Sequence, residues 1–371
     1  MKAIIVCIFV LLLIFSRPAT PLHAQSCSSS GTNAAATLYF ENYLADSVSL
    51  FWVNYSCQEQ FYTEIAPGMS ITQPTYDGHE WIVRSANGDE MTRVTASASR
   101  DEVVTIGEPF TAPASPLDFT YRPETIRNTT DFDPAKGCVV RPVTPADELD
   151  PFYAIMCDYA GIPITSSAQV PESALQAAWG IVATMLDAHP QVVEQMLEHK
   201  LIIGLVAEDE GITDLPEYAF LRDDPNMDWN ARSRGFGGNV QVPLMSGAEE
   251  NVLCYPTDPY LGENIFVHEF AHTMKDMGIA LVDPQFNAAL QLAYEAALAE
   301  GLWADTYAMS TVEEYWAEGV QDYFNTNLEA IPTNGIHNDI NTREELEAYD
   351  PTLYAMIDRV FGGLDWTPVC G

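Results

Sequence analysis

Ile265 to Met274 reads IFVHEFAHTM and contains the pattern His-Glu-x-x-His. On a helix, residues four apart share a face, so His268 and His272 can both turn an imidazole toward one metal ion. Glu269 directly follows the first histidine. It falls beside the metal's open position, where a carboxylate can take a proton from a bound water. Ile265, Phe266, Phe270 and Met274 give the helix an apolar face to bury, and Gly278 is expected to end it. Two histidines leave a metal ion short of a protein ligand. Thr311 to Gly319 reads TVEEYWAEG, and there Glu314 and Glu318 are again four apart. Packing that helix beneath the first brings one carboxylate to the metal. The other can then accept the second N–H of a ligating histidine and fix its tautomer. The set suits a catalytic Zn2+, one per chain, held by two His and one Glu with a position left open.

Two further stretches can border such a site. Arg234 to Asn239 reads RGFGGN, a glycine-rich edge along which a substrate backbone can approach and pair as an added strand. His337, in NGIHN, can offer a proton to an oxyanion. His189 and His199 fall at helix ends and are expected to be solvated.

The elements that must position these residues change character along the chain of 371 residues. Residues 1–25 carry Lys2, an apolar run from Ala3 to Phe15 and Leu22-His23-Ala24, the charged end, apolar stretch and small-residue cleavage site of a secretory signal. Residues 37–108 hold short runs of aromatic and β-branched residues between turn signals such as Ala66-Pro67-Gly68 and Tyr76-Asp77-Gly78, which predicts a small all-β sandwich. Residues 109–134, rich in proline, are expected to be an extended linker. From 135 to 371 the pattern is α+β. Helices are expected over Glu172 to Ala188, Val192 to His199, Pro284 to Ala299, Val312 to Leu328 and Thr352 to Val360. Strands are expected over Leu201 to Ala207 and near Asn239 to Met245. The chain thus reads as multidomain, a β sandwich followed by an α+β, zincin-like domain.

The catalytic stretch resembles the catalytic domain of anthrax lethal factor and related zinc metallopeptidases of the gluzincin kind. Those carry HEFGH, then a Glu in an E-[FY]-F-A-E segment some forty residues later. Here HEFAH at 268–272 is followed by EYWAE at 314–318, with Ala271 in place of the family's Gly. The resemblance implies that Glu314 is the third zinc ligand, with Glu318 behind it. It also implies that Tyr307, seven residues before Glu314, is aimed at the reacting carbonyl. Peptide hydrolysis is the implied activity, with Glu269 as the base.

The β module is similar to the β domain of the von Hippel–Lindau tumour suppressor. The likeness lies in WVNY at 52–55, QFYTEIAPG at 60–68 and TYDGHEW at 75–81. It implies a pocket for hydroxyproline in a peptide, walled by Trp52, Tyr62, Thr75, His79 and Trp81, with Thr75 where the family has Ser. Asp77 replaces a basic residue at the rim. The same tryptophans and histidine are also what a small sandwich can bury as core.

The formal net charge of −37 repels nucleic acid and anionic membranes. No stretch after the signal is long and apolar enough to span a bilayer. The six cysteines beyond the signal suit disulfides in an exported protein, Cys27–Cys57 being a plausible pair for the β module. The expected protein is therefore a secreted peptidase, extracellular, or periplasmic in a bacterial host. Its partner is a protein or peptide substrate, proline- or hydroxyproline-rich if the module's pocket is retained. The alternative is a secreted binding protein whose zinc is structural or whose site is inactive.

Overall fold

The computed structural model describes residue 29 and residues 34–368, apart from 45–46, 66, 86, 100–101, 108–112, 125–133 and 225–226. The signal segment and Cys27 lie outside the described residues. No helix among the described residues is long and apolar enough to cross a membrane.

The N-terminal part is an all-β unit of two sheets. One has the order β4 (Ser70–Tyr76), β1 (Ala35–Asn42), β7 (Glu102–Ile106). The other has the order β3 (Glu59–Ile65), β2 (Val48–Val53), β5 (Glu80–Ser85), β6 (Glu90–Thr95). Alternate residues of β1 and β2 turn inward, so Leu38, Phe40, Val48 and Leu50 pack with Ile65, Trp81, Val83 and Ile106 between the sheets. β4 and β6 go beyond the strands expected from sequence. Both are edge strands, where Pro74 in β4 and the charges of β6 are tolerated and break up the apolar alternation.

The second part is α+β. A five-stranded sheet runs β12 (Leu244–Ala248), β11 (Ile202–Val206), β10 (Ile162–Ser166), β9 (Ile155–Tyr159), β8 (Arg141–Pro142). Strands β10, β11 and β12 are parallel neighbours. The helices are α1 (Pro134–Gly137), α2 (Glu172–Leu186), α3 (Pro190–Glu198), α4 (Trp229–Arg232) and α5 (Glu249–Val252), then α6 (Ile265–Met274) and α7 (Ala280–Val282). α8 (Gln285–Glu300), α9 (Val312–Tyr323), α10 (Arg343–Tyr349) and α11 (Pro351–Phe361) complete them. One apolar core joins α2, α3, α6, α8, α9 and α11 to the sheet. A disulfide, Cys138–Cys157, ties the end of α1 to β9.

Four expectations are corrected here. Gly278 does not end the His-Glu-x-x-His helix. A π turn over Lys275–Ile279 carries the chain on into α7. Gly278 lies against α3, where a methyl group in its place would meet Val192 at 2.4 Å, so it serves close packing and not termination. The strand expected near Asn239 begins later, at Leu244, because the Asn239 carboxamide closes a turn on the N–H groups of Gln241 and Val242.

The proline-rich stretch is the third. Its described residues form no helix or strand, turn at residues 115–118, and are not free. Phe119 and Tyr121 are buried in the large core. The Asp283 carboxylate accepts from the Thr120 N–H, the Thr120 hydroxyl and the Tyr121 N–H at 2.5, 2.8 and 2.7 Å. The Tyr121 ring stacks on His189 and its hydroxyl bonds Nδ1, so His189 is buried and not solvated as expected.

Burial pushes the His189 pKa down to about 4. The unfolded chain, with an ordinary histidine pKa of about 6.5, binds more protons between these values. Stability is therefore lost as pH falls from about 6.5 to about 4, by roughly 3 kcal/mol. The variant His189→Phe should lose this part of the pH dependence in urea unfolding. A curve parallel to the parent's across that window would refute the assignment.

Candidate metal centre and peptide pocket

Helix α6 starts at Asn264, whose side chain accepts the Val267 N–H. Helix α9 starts at Thr311, which accepts the Glu314 N–H, with Glu313 and Glu314 in the first turn where the helix dipole favours acid. The two helices are fastened by Trp316, which is fully buried. Its indole N–H donates to the Ala271 carbonyl at 3.1 Å and its ring meets Phe286 edge-on at 5.2 Å. Ala271, where the resembled family has Gly, is accommodated without exposure. The start of α9 is thereby held under the imidazoles of α6.

The structure brings His268, His272 and Glu314 together, with one ligand atom of each inside a 4.8 Å group. The two Nε2 atoms are 3.1 Å apart, and Glu314 Oε2 is 3.0 Å from the first and 3.3 Å from the second. Donors of a tetrahedral zinc at about 2.1 Å stand about 3.4 Å from one another, so the spacing fits that ion. The electrostatics fit as well. Burial works against charge on His268, yet the Glu314 hydrogen bond and the carboxylates of Glu269 and Glu318 outweigh it and push its pKa up to about 10. The carboxylates around His268 favour positive charge at this place, which a divalent ion supplies.

Glu269 lies on the same helix beside this group. Burial raises its carboxyl pKa, against the pull of His268, His272 and the Gly237 N–H. The Gly237 contact brings in the glycine-rich segment. Phe236 bridges Ser246 at the outer edge of β12, and a methyl group in place of Gly237 would meet His272 Cβ at 2.6 Å. The Tyr307 hydroxyl donates to Glu314 Oε1 at 3.1 Å. Burial and Glu314 push that phenol up to about 12, opposed by a hydrogen bond from Arg232. Arg232 lies outside the motifs that mark the site in the sequence.

Glu318 is behind His268, with Oε1 3.4 Å from Nδ1. The closer partner is Gln321, whose Oε1 is 2.7 Å from the same nitrogen. Its amide is oriented by donating to Glu263 Oε1 and the Asn264 carbonyl. Gln321 follows Glu314 and Glu318 on one helical stripe, i, i+4, i+7, and that spacing is the signal that points to it. Gln321→Leu should weaken metal binding about 10- to 100-fold. Chelator competition on the folded variant measures this, and parent-like affinity would return the orienting role to Glu318. His337 is buried, with Nε2 facing Glu263 at 3.6 Å, and is not one of the three residues that the structure groups for a metal.

In the β unit, Trp52, Tyr62, Thr75, His79 and Trp81 also come together. Thr75 Oγ1 is 3.2 Å from His79 Nδ1 and accepts the Trp81 indole N–H at 3.0 Å. Trp52 lies 5.3 Å from the His79 ring. The β2–β3 register slips between Leu50 and Phe51, so Tyr62 has no residue opposite. This bulge re-aims the Tyr62 ring edge-on to Trp81 at 5.0 Å. Tyr55 and Tyr76 complete the wall around His79 and were not among the expected residues. The Tyr55 hydroxyl sits 2.8 Å from His79 Nε2. Burial lowers the His79 pKa, which favours the neutral ring. Trp81 is at once a wall of this group and a member of the sandwich core.

No curated protein matches the chain. Among solved structures, the Pro-Pro endopeptidase (PPEP-2) from Paenibacillus alvei is similar at 15% identity and a TM-score of 0.35, over 52% of this chain and 95% of that one. That score is too low to show a shared fold. Residues 27–98 match the family described as the VHL beta domain.

Proposed function

We propose that the chain is a secreted zinc metallopeptidase whose N-terminal module binds peptide, with proline- or hydroxyproline-rich protein as the substrate class. The observation that carries this reading is the convergence of His268, His272 and Glu314 beside Glu269 and Tyr307. His268, His272 and Glu314 would hold the ion. A bound Zn2+ supplies a Lewis acid for the scissile carbonyl and lowers the pKa of water toward neutrality. Glu269 takes the proton of the attacking water, and its raised pKa suits a base that must give the proton back. It then delivers that proton to the leaving amine. Tyr307 donates its hydroxyl hydrogen to the oxyanion that develops on the carbonyl. Gln321 and Glu318 keep the His268 tautomer in which Nδ1 carries the proton and Nε2 is free.

In the module, aromatic rings suit a pyrrolidine ring, and Thr75 and neutral His79 suit its hydroxyl. The family match over residues 27–98 supports this half of the reading. Export is supported by the signal-like start and by the Cys138–Cys157 disulfide, which suits an oxidising compartment.

The test is cleavage of a proline- and hydroxyproline-containing peptide library by the mature protein, with and without a zinc chelator. Chelator-sensitive cleavage is expected. No cleavage from protein that holds one zinc per chain would instead assign a secreted binding protein with a structural zinc site.

A further inference from the structure

We propose that the β module and the catalytic cleft form a single substrate track, so that one extended polypeptide is held by the module and cut by the same molecule at a bounded distance from the anchored residue. This rests on the function proposed above and adds the spatial coupling between its two halves.

Contacts at one end of the module make the coupling. The Gln241 side-chain amide donates to the Glu64 carbonyl at 2.7 Å. The Asn287 amide meets the Met69 sulfur at 2.7 Å. Gly68, at φ +69°, lies so close to Pro284 that a methyl group in its place would meet the Pro284 carbonyl oxygen at 2.7 Å. Glu64 is near the end of β3, and Gly68 and Met69 form the turn into β4.

The geometry on each side of these contacts leads to a site. Among the described residues, β3 pairs only with β2, so its outer edge, short of Glu64 where Gln241 bonds, meets no other strand and can receive an extended chain. Phe61 and Tyr62 stand exposed on it, at 61% and 55%, and Tyr62 is a wall of the pocket. On the peptidase side, Gln241 belongs to the turn that follows the glycine-rich segment, whose Gly237 touches His272. A path from pocket wall to metal ligand therefore runs Tyr62, Glu64, Gln241, Gly237, His272. Fully stretched, that path is at most about 35 Å, which about ten residues of extended substrate can span. The occupant is the substrate polypeptide itself, because the edge of β3 and the glycine-rich segment beside His272 meet at this contact.

An anchored chain presents its cleavable bond at an effective concentration in the millimolar range. The test uses quenched-fluorescent peptides with one hydroxyproline placed 0 to 30 residues from a cleavable bond. Relative to the hydroxyproline-free peptide, kcat/KM should rise about tenfold or more, with the maximum at or below about ten residues and a several-fold fall by thirty. Gly68→Leu, on the module, should abolish the gain while leaving cleavage of the hydroxyproline-free peptide unchanged. Gln241→Glu, on the peptidase side, removes the donor to Glu64 without touching the module's own fold and should reduce the gain. A gain that ignores spacing, or that survives in both variants, overturns the track. Cleavage that hydroxyproline never accelerates overturns it and leaves the peptidase standing, whereas no cleavage of any peptide overturns both.

Discussion

Glu269→Gln is expected to bind zinc as the parent does and to cut peptides about 10²- to 10⁴-fold more slowly. The amide keeps the size of the carboxyl group and lies outside the ligand set of His268, His272 and Glu314. It cannot take a proton from water, and it has none to return to the leaving amine. Both halves of the reaction lose their shuttle while the site keeps its shape. The check is metal content and turnover on the same sample. Full zinc with parent-like cleavage would sink the mechanism and not merely the residue assignment.

Glu314→Ala is expected to act on the metal and not on the chemistry. Glu314 Oε2 faces both Nε2 atoms, and Oε1 receives the Tyr307 hydroxyl. Alanine leaves two histidines facing each other with no counter-charge between them. Zinc affinity should fall on the order of 10³-fold, about a quarter of the binding free energy of a four-coordinate site. Equilibrium dialysis followed by metal analysis reads this directly. Full occupancy in the variant would move the third ligand to Glu313 or Glu318. The helix itself should survive, because Thr311 caps it and Trp316 fastens it.

The candidate metal ligands were legible in the sequence because a helix repeats on one face every three to four residues. That rule places His268 against His272 and Glu314 against Glu318. It did not separate the two carboxylates. The resemblance favoured Glu314, and the distances bring Glu314 to both imidazoles. Gln321 sits on the same stripe and escaped notice because an amide carries no charge to mark it. Gly278 was misread because a glycine can end a helix or let another helix approach, and only the tertiary contact with Val192 decides between them. In the β module the pocket came from likeness, not from pattern. A pattern of alternation cannot foresee the bulge that turns Tyr62 toward Trp81, nor that Tyr55 reaches back to His79.

The segment around Phe119 decides where the α+β part begins as a heritable unit. Phe119 is held between the Phe286 ring and the Arg359 guanidinium, Arg359 also grips the Leu117 carbonyl, and Asp283 collects the backbone of Thr120 and Tyr121. A chain started at residue 135 would keep every residue proposed for catalysis and still carry an open slot in its core. Removing Phe119 alone is worth about 3–5 kcal/mol, a large part of the stability of an ordinary domain. Recombination that joined this α+β part to a different N-terminal module would keep its core filled only if the cut fell before Leu117. The stretch that looks like a tether in the sequence therefore travels with the α+β part, and the exchangeable piece is the β sandwich alone.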